Sequence, residues 1–259
     1  MEIAMSTTTL HVVEEKSGRR LALGPQNLLA EGGAGAVYAH PNDPLLCVKI
    51  YLTSEQRRLH EAKVAAMIAR TPDNVRTKSG VVQLAWPIEL IKENGAFAGF
   101  TMPRLPLQDT WSIEIPIHPT SRRSNNAPDN LKLRLTLLRN LAAVLIGLHD
   151  KGHYAIDLQP KNVFGYRWTQ GISTLSSGFV ALIDCDGFSI SSGSGGLRHD
   201  AGLLMEEYAC PVAFDHALTF DVSRVIGFER QQDLWAFAVL AFRLLNNGLA
   251  PWDGIPKAH

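Results

Sequence analysis

The sequence predicts an α+β chain of two lobes: first an antiparallel β-sheet with one helix, then a mainly helical, shortened lobe. Three observations carry that prediction. Residues 11–102 fall into short runs of alternating apolar and polar residues punctuated by Gly, Asn and Pro, the pattern of half-buried strands and turns. Residues 131–149 place Leu133, Leu137, Leu138, Leu141, Leu145 and Leu148 at helical spacing. Residues 233–246, DLWAFAVLAFRLLN, are apolar nearly all round, which predicts a buried helix.

The elements follow in chain order. His11–Val13 and Arg20–Leu23 flank Glu-Lys-Ser-Gly as a short hairpin. Leu28-Leu29 and Ala36–Tyr38 flank a glycine-rich loop, and LLCVKIY is a strand with a single charge, Lys49. A helix follows in SEQRRLHEAKVAAMIAR, with Ser54 as its expected cap. Val81–Trp86 and Ile88–Lys92 read as strand material interrupted by Pro87, and Asn94-Gly95 turns the chain into a strand over Phe97–Met102. The first lobe thus has about five strands and one helix. Residues 107–130 are irregular, with TSRRSNNAPDN expected as a mobile surface loop. Gly152 ends the leucine-rich helix. Short strands are expected at Asn162–Tyr166 and Phe179–Asp184, around a Gly/Ser-rich turn at 169–178. Residues 187–202 are again rich in Gly and Ser and expected to be mobile.

Bulk properties narrow the function classes. The chain has 259 residues, enough for one large domain or two small lobes, and 46% are hydrophobic, enough for a real core. Formal net charge is zero, so no broad attraction to nucleic acid or anionic lipid is expected. Cys47, Cys185 and Cys210 are scattered without C-x-x-C spacing, which reads as free thiols in a reducing, cytoplasmic compartment. No signal peptide and no membrane span are expected.

The chemistry concentrates in HYAIDLQPKNVFGY, residues 153–166, where Asp157 is followed five positions later by Asn162. Asp184 and Asp186 follow in VALIDCDGF. Phosphoryl transfer asks for one carboxylate to orient a hydroxyl and for oxygen ligands that hold Mg²⁺ on the phosphates. This spacing supplies both. Gly32, Gly33 and Gly35 lie in one loop, where backbone N–H groups could approach phosphate, although an ordinary hairpin turn uses glycine equally well. Lys49 either reaches solvent or is buried with a purpose. Glu61 borders the apolar face of its helix, within reach of a lysine on a neighbouring strand, or is a solvated surface charge. Ser189, Ser191, Ser192 and Ser194 read as modification sites or as plain linker composition.

The order of these signals resembles the protein kinase superfamily over nearly the whole chain: glycine loop, strand lysine, helical glutamate, hinge, long helix, Asp-x-x-x-x-Asn, an Ile-Asp strand end and a buried Asp-Leu-Trp helix. The resemblance implies lobes at 1–102 and 107–259, the second truncated after its buried helix, with a hinge at 103–106. It implies ATP and Mg²⁺. Gly32 and Gly35 match the later glycines of the phosphate loop, with Gly33 between them, and Val37 would cover adenine. Lys49 would hold phosphates and pair with Glu61. Met102 would be the gatekeeper, and Pro103 and Leu105 would meet adenine through their backbone. Asp157 would be the catalytic carboxylate, Asn162 and Asp184 metal ligands, and Asp186 a second metal ligand or a solvated loop acid. Asp233 would brace the catalytic loop.

Departures are also visible. The usual His-Arg-Asp reads Ala155-Ile156-Asp157, so a phosphorylated activation loop lacks its usual cationic clamp. Gln159 stands where Ser/Thr kinases have lysine, with Lys161 close enough in sequence to substitute. Asp-Phe-Gly reads Asp184-Cys185-Asp186, and Ala-Pro-Glu reads Cys210-Pro211-Val212. These variants resemble a bacterial group of kinases found with a von Willebrand A-type protein and a PP2C-type phosphatase in stress systems. That resemblance implies a Ser/Thr protein kinase acting on a protein substrate. The alternatives are a pseudokinase that serves as a nucleotide-binding scaffold, or a kinase-fold small-molecule phosphotransferase.

Overall fold

The structure is a computed structural model that describes residues 9–33, 35–167, 178–193 and 196–254. Its strands are β1 Leu10–Glu14, β2 Arg20–Leu23, β3 Leu28–Gly32, β4 Gly35–Ala39, β5 Leu46–Ile50, β6 Glu89–Glu93, β7 Ala96–Pro103, β8 Thr110–Ser112, β9 Val163–Tyr166, β10 Val180–Leu182, β11 Ile190–Ser191 and β12 Arg198–His199. The helices are α1 Ser54–Ala69, α2 Glu114–Ile117, α3 Pro119–Ser124, α4 Leu131–Asp150 and α5 Glu229–Leu245. Among the described residues no helix is long and apolar enough to cross a membrane.

The chain divides into two compact units. The first runs to Thr71 and resumes at Ala85–Leu105. Its strands form one sheet in the order β2-β1-β6-β7-β5-β4-β3, seven strands where the sequence suggested about five. Neighbours pair antiparallel, and Asn94 and Gly95 take positive φ (51° and 84°) in the tight turn from β6 to β7. Alternation along the strands sends Val12, Leu21, Leu23, Val48, Ile50, Ile91 and Ala98 into one core cluster. Helix α1 packs Val64 against Tyr51, Phe97 and Phe100. Thr53, not Ser54, caps α1: its hydroxyl accepts from the Gln56 N–H while the Gln56 side chain accepts from the Thr53 N–H.

The second unit comprises Pro72–Leu84 and the residues from Pro106 onward. Residues 72–84 were expected in the first lobe, with a strand over 81–86. They form only isolated bridges and belong to the second unit because their polar groups find partners there. The Asn74 amide donates to the Val144 carbonyl of α4, and the Gln83 carbonyl accepts from the Leu182 N–H. Strands β10, β9 and β8 make a small sheet in that order. α4 buries Leu133, Leu137, Leu141, Val144, Leu145 and Leu148 and ends before Gly152, whose φ is 75°.

Three expectations for this unit are corrected. The TSRRSNNAPDN stretch begins as α3, not as a mobile loop, because Arg122 is buried and its guanidinium donates to the carbonyls of Pro116 and Ile117 and to Asn247 Oδ1. Residues 187–202 include the β11–β12 hairpin. α5 is not buried all round: Asp233, Ala236, Val239, Leu240 and Leu244 face inward, whereas Leu234, Trp235 and Phe242 are exposed. The Gly/Ser-rich turn at 169–178 lies outside the described residues except for Gly178.

Candidate active site

The catalytic-loop stretch is built downward from α5. Asp233, fully buried, accepts from the Ala155 N–H (2.9 Å) and from His149 Nε2 (2.8 Å) with one oxygen, and from the Ile156 N–H (2.7 Å) with the other. Its neighbour Gln232, also fully buried, donates to the carbonyls of Ile156 (3.1 Å) and Tyr208 (2.9 Å) and accepts from the Cys210 N–H (2.8 Å). Ile156 sits at φ 59°, a conformation a β-branched residue rarely adopts. Hydrogen bonds on both its N–H and its carbonyl hold it there. The sequence reading identified Asp233 but missed Gln232, the adjacent polar residue on an otherwise apolar helix.

That backbone geometry places Asp157 at the head of the loop. One carboxylate oxygen, Oδ2, accepts from Gln159 Nε2 (2.6 Å) and Asn162 Nδ2 (3.1 Å). The other, Oδ1, accepts from the Met205 N–H (2.9 Å). A carboxylate offers about four acceptor sites. Three are filled, which leaves Oδ1 able to accept one more O–H. Asn162 also donates to the Asp157 carbonyl (2.9 Å), so its amide nitrogen is committed to Asp157 and its amide oxygen is turned the other way. Gln159 thus takes the lysine's place on the carboxylate, whereas Lys161 is exposed and makes no hydrogen bond to Asp157.

The two acids of VALIDCDGF have different surroundings. Asp184 is exposed, follows β10 and has φ 53°, and its carbonyl accepts from the Gly187 N–H (2.9 Å). Asp186 is 4% exposed, which removes the solvated-loop alternative. The Asn162 carbonyl accepts from the Ile183 N–H (3.0 Å) and ties the Asp184 strand end to the catalytic loop. Among the described residues no group of three or more His, Cys, Asp or Glu side chains forms a metal cluster. The expected set of one amide oxygen and one or two carboxylates suits Mg²⁺, which takes few protein ligands and fills its shell with water and phosphate oxygens.

The nucleotide-binding expectations fall in the first unit. Gly32 pairs with Gly35 at the β3–β4 turn, and the Gly33 carbonyl accepts from Gln56 Nε2 (2.9 Å). A Cβ on Gly35 would stand 2.6 Å from the Ile50 carbonyl oxygen, so that glycine is required by strand approach, whereas Gly32 and Gly33 face open space. Val37 is half-buried opposite Lys49 in the β4–β5 register. Lys49 is 6% exposed, with its ammonium 5.8 Å from the Tyr51 ring centre. Met102 and Pro103 end β7, and the Cys47 thiol points at both carbonyls (3.8 Å each). Leu105 is 8% exposed, and among the described residues its backbone N–H and carbonyl enter no hydrogen bond.

Glu61 is exposed on α1, the surface-charge alternative, and its charge helps raise the pKa of Lys92, after the larger effects of Glu15. Helix phase is the reason. The inward arc of α1 is taken by Lys63, Val64 and Met67, with His60 stacked on Tyr51. At 3.6 residues per turn Glu61 lies about 110° from the middle of that arc. Lys63, 5% exposed, is a buried cation that sequence reasoning passed over. Ser189 is 1% exposed, which removes it as a ready modification site, and Ser194 lies outside the described residues. None of the three cysteines forms a disulfide, and all three are buried.

No protein-family model matches the chain. Among curated proteins it is similar to the serine/threonine-protein kinase pkn2 of Myxococcus xanthus, 32% identical over 122 residues. That match covers 46% of this chain and only 13% of the relative. Among solved structures it is similar to the ROP18 kinase domain in complex with AMP-PNP and sucrose, with TM-score 0.59 and 15% identity over 95% of this chain and 70% of that one. A rhoptry kinase from Toxoplasma gondii gives TM-score 0.57 and 16% identity over 97% and 70% of the two chains. The BubR1 kinase domain gives 0.51 and 13% over 95% and 66%. The chain therefore has the fold of protein kinase domains.

Proposed function

We propose that the chain is an ATP- and Mg²⁺-dependent protein kinase that phosphorylates Ser or Thr. The observation that carries this reading is the Asp157 carboxylate, oriented by Gln159, Asn162 and the Met205 N–H with one acceptor position open on Oδ1. An acceptor hydroxyl donating to that oxygen is aligned for attack. As its oxygen bonds to the γ-phosphorus, the bond from phosphorus to the bridging oxygen of ADP breaks and the hydroxyl proton passes to Asp157. Asn162, Asp184 and Asp186 would hold Mg²⁺, which when bound offsets the negative charge of the phosphates. Lys49 would hold the nucleotide phosphates, and the open backbone groups of Leu105 would pair with adenine, beneath Val37 and beside Met102 and Pro103.

The resemblance supplies the remaining proposals. The substrate would be a protein, such as a von Willebrand A-type partner in a bacterial stress system with a PP2C-type phosphatase, in the cytoplasm. One observation favours a second reading, a nucleotide-binding pseudokinase scaffold: Glu61 is exposed on its helix. Transfer of ³²P from Mg²⁺–ATP to the chain itself or to a generic protein, followed by phosphoamino-acid analysis, separates the two. Phosphoserine or phosphothreonine that disappears in Asp184→Ala supports the kinase. Saturable ATP binding without labelled product supports the scaffold.

A further inference from the structure

Arg198, on β12, donates to Ser189 Oγ (3.0 Å) and to the Gly152 carbonyl (2.9 Å), and its Nε lies 3.6 Å from Glu229 at the start of α5. Its guanidinium also stacks on the Tyr154 ring, 4.9 Å from the ring centre. One side chain therefore ties three places together: the end of α4, the first turn of α5 and the stretch that follows Asp184. Tyr154 and Ser189 exchange two backbone hydrogen bonds (2.9 and 2.8 Å) at the same point, and Ser191 pairs with Arg198 across β11–β12. The segment that Arg198 secures runs on to Met205, whose N–H is bonded to Asp157 Oδ1.

We infer that Arg198 is a positioning residue. It holds Ser189 and the stretch 198–205 so that the Met205 N–H orients the catalytic carboxylate, and it does so without any added phosphate. This rests on the kinase reading for its effect on rate, but the clamp itself is independent of that reading. The surroundings argue against a phosphate as the native tie. Two partners of Arg198, Ser189 and Glu229, line a small cavity whose other walls are Ile156, Ala201, Val222, Val225 and Ile226 and the acid Asp200. A phosphate placed there would meet apolar groups and two carboxylates, and it would compete with Glu229 for the guanidinium. The fork geometry matters, because a lysine ammonium is a point charge that cannot serve the same set of acceptors and stack on a ring.

The test compares unphosphorylated wild type, verified by intact mass, with Arg198→Ala and Arg198→Lys. Hydrogen exchange is read at Ser189, Ser192 and Met205, whose N–H groups are bonded in the secured segment, with β5 as an internal reference. Wild type should be protected without phosphorylation. Arg198→Ala should speed exchange at Met205 by about tenfold or more, the equivalent of at least one lost hydrogen bond. Arg198→Lys should fall between, and β5 should be unchanged. In transfer assays Arg198→Ala should lower kcat by about 10²-fold with KM for ATP unchanged. Protection that appears only after phosphorylation, or wild-type exchange in Arg198→Ala, overturns the clamp. A wild type that is protected yet transfers nothing sinks the kinase reading and leaves the clamp standing.

Discussion

The Asp157–Asn162 loop and helix α1 both carry polar residues that the sequence marks as functional, and the two regions place them by different means. Asp157 and Asn162 are five residues apart with Pro160 between them, and two Asn162 hydrogen bonds close the turn. Short-range geometry there leaves little freedom. In α1 the outcome depends on helix phase, and phase is set by packing against Tyr51, Phe97 and Phe100, all distant in sequence. Glu61 is turned out and Lys63 is turned in. Spacing within one turn can be read directly, whereas the direction of a helical side chain waits for its tertiary partner.

The comparison is broken most severely at Asp233. Asp233→Ala would strip acceptors from the buried Ala155 and Ile156 N–H groups and from the partly buried His149 ring. Unfolding free energy in urea should fall by at least about 3 kcal/mol, because each buried orphan donor costs about 1–3. A loss of less than about 1 kcal/mol would mean the loop is held by other contacts. Gly35→Val is next. Its Cβ would press on the Ile50 carbonyl, and overpacking of this kind costs about 1–3 kcal/mol, read as a lower melting temperature.

The α1 side of the comparison is sharpened by a pair of substitutions. Lys49→Met should weaken nucleotide binding in calorimetry, while Glu61→Gln should change it by no more than about twofold, as expected for an exposed charge. A large loss in Glu61→Gln would mean that the outward position is not the working one. Alkaline pH probes burial in both units. Burial first of all pushes Cys47 from 9.0, and Tyr166 and Tyr208 from 10.0, up to about 12. The folded chain keeps these protons while the unfolded chain loses them. Stability should therefore be full below pH 9 and fall progressively as pH rises from 9 towards 12. Denaturant midpoints that stay flat across that range would contradict the burial of these groups.

Much of the architecture was legible because it is local. The Asn94-Gly95 turn, the leucine spacing of α4 and the Gly152 stop each depend on a few consecutive residues. The misreadings arose where a distant partner decides. Residues 81–86 look like strand of the first lobe, but Gln83, like Asn74 before it, bonds within the second unit, to β10 and α4 respectively. Arg122 looks like a loop cation but is buried among carbonyls. Within the site, Asp157, Asn162 and Asp184 could be named from spacing, and Asp233 from the resemblance. Gln232, Arg198 and the Met205 N–H could not, since they act across 9 to 76 residues of chain or through the backbone, which carries no sequence signature.

The central claim is that Asp157 orients and deprotonates an acceptor hydroxyl. Single-turnover transfer from Mg²⁺–ATP, measured beside ATP affinity in wild type and Asp157→Ala, tests it most directly. The account predicts a rate lower by about 10²–10⁴-fold with ATP affinity within about twofold of wild type, since the carboxylate acts on the acceptor and not on the nucleotide. A variant that transfers phosphate at the wild-type rate would contradict it.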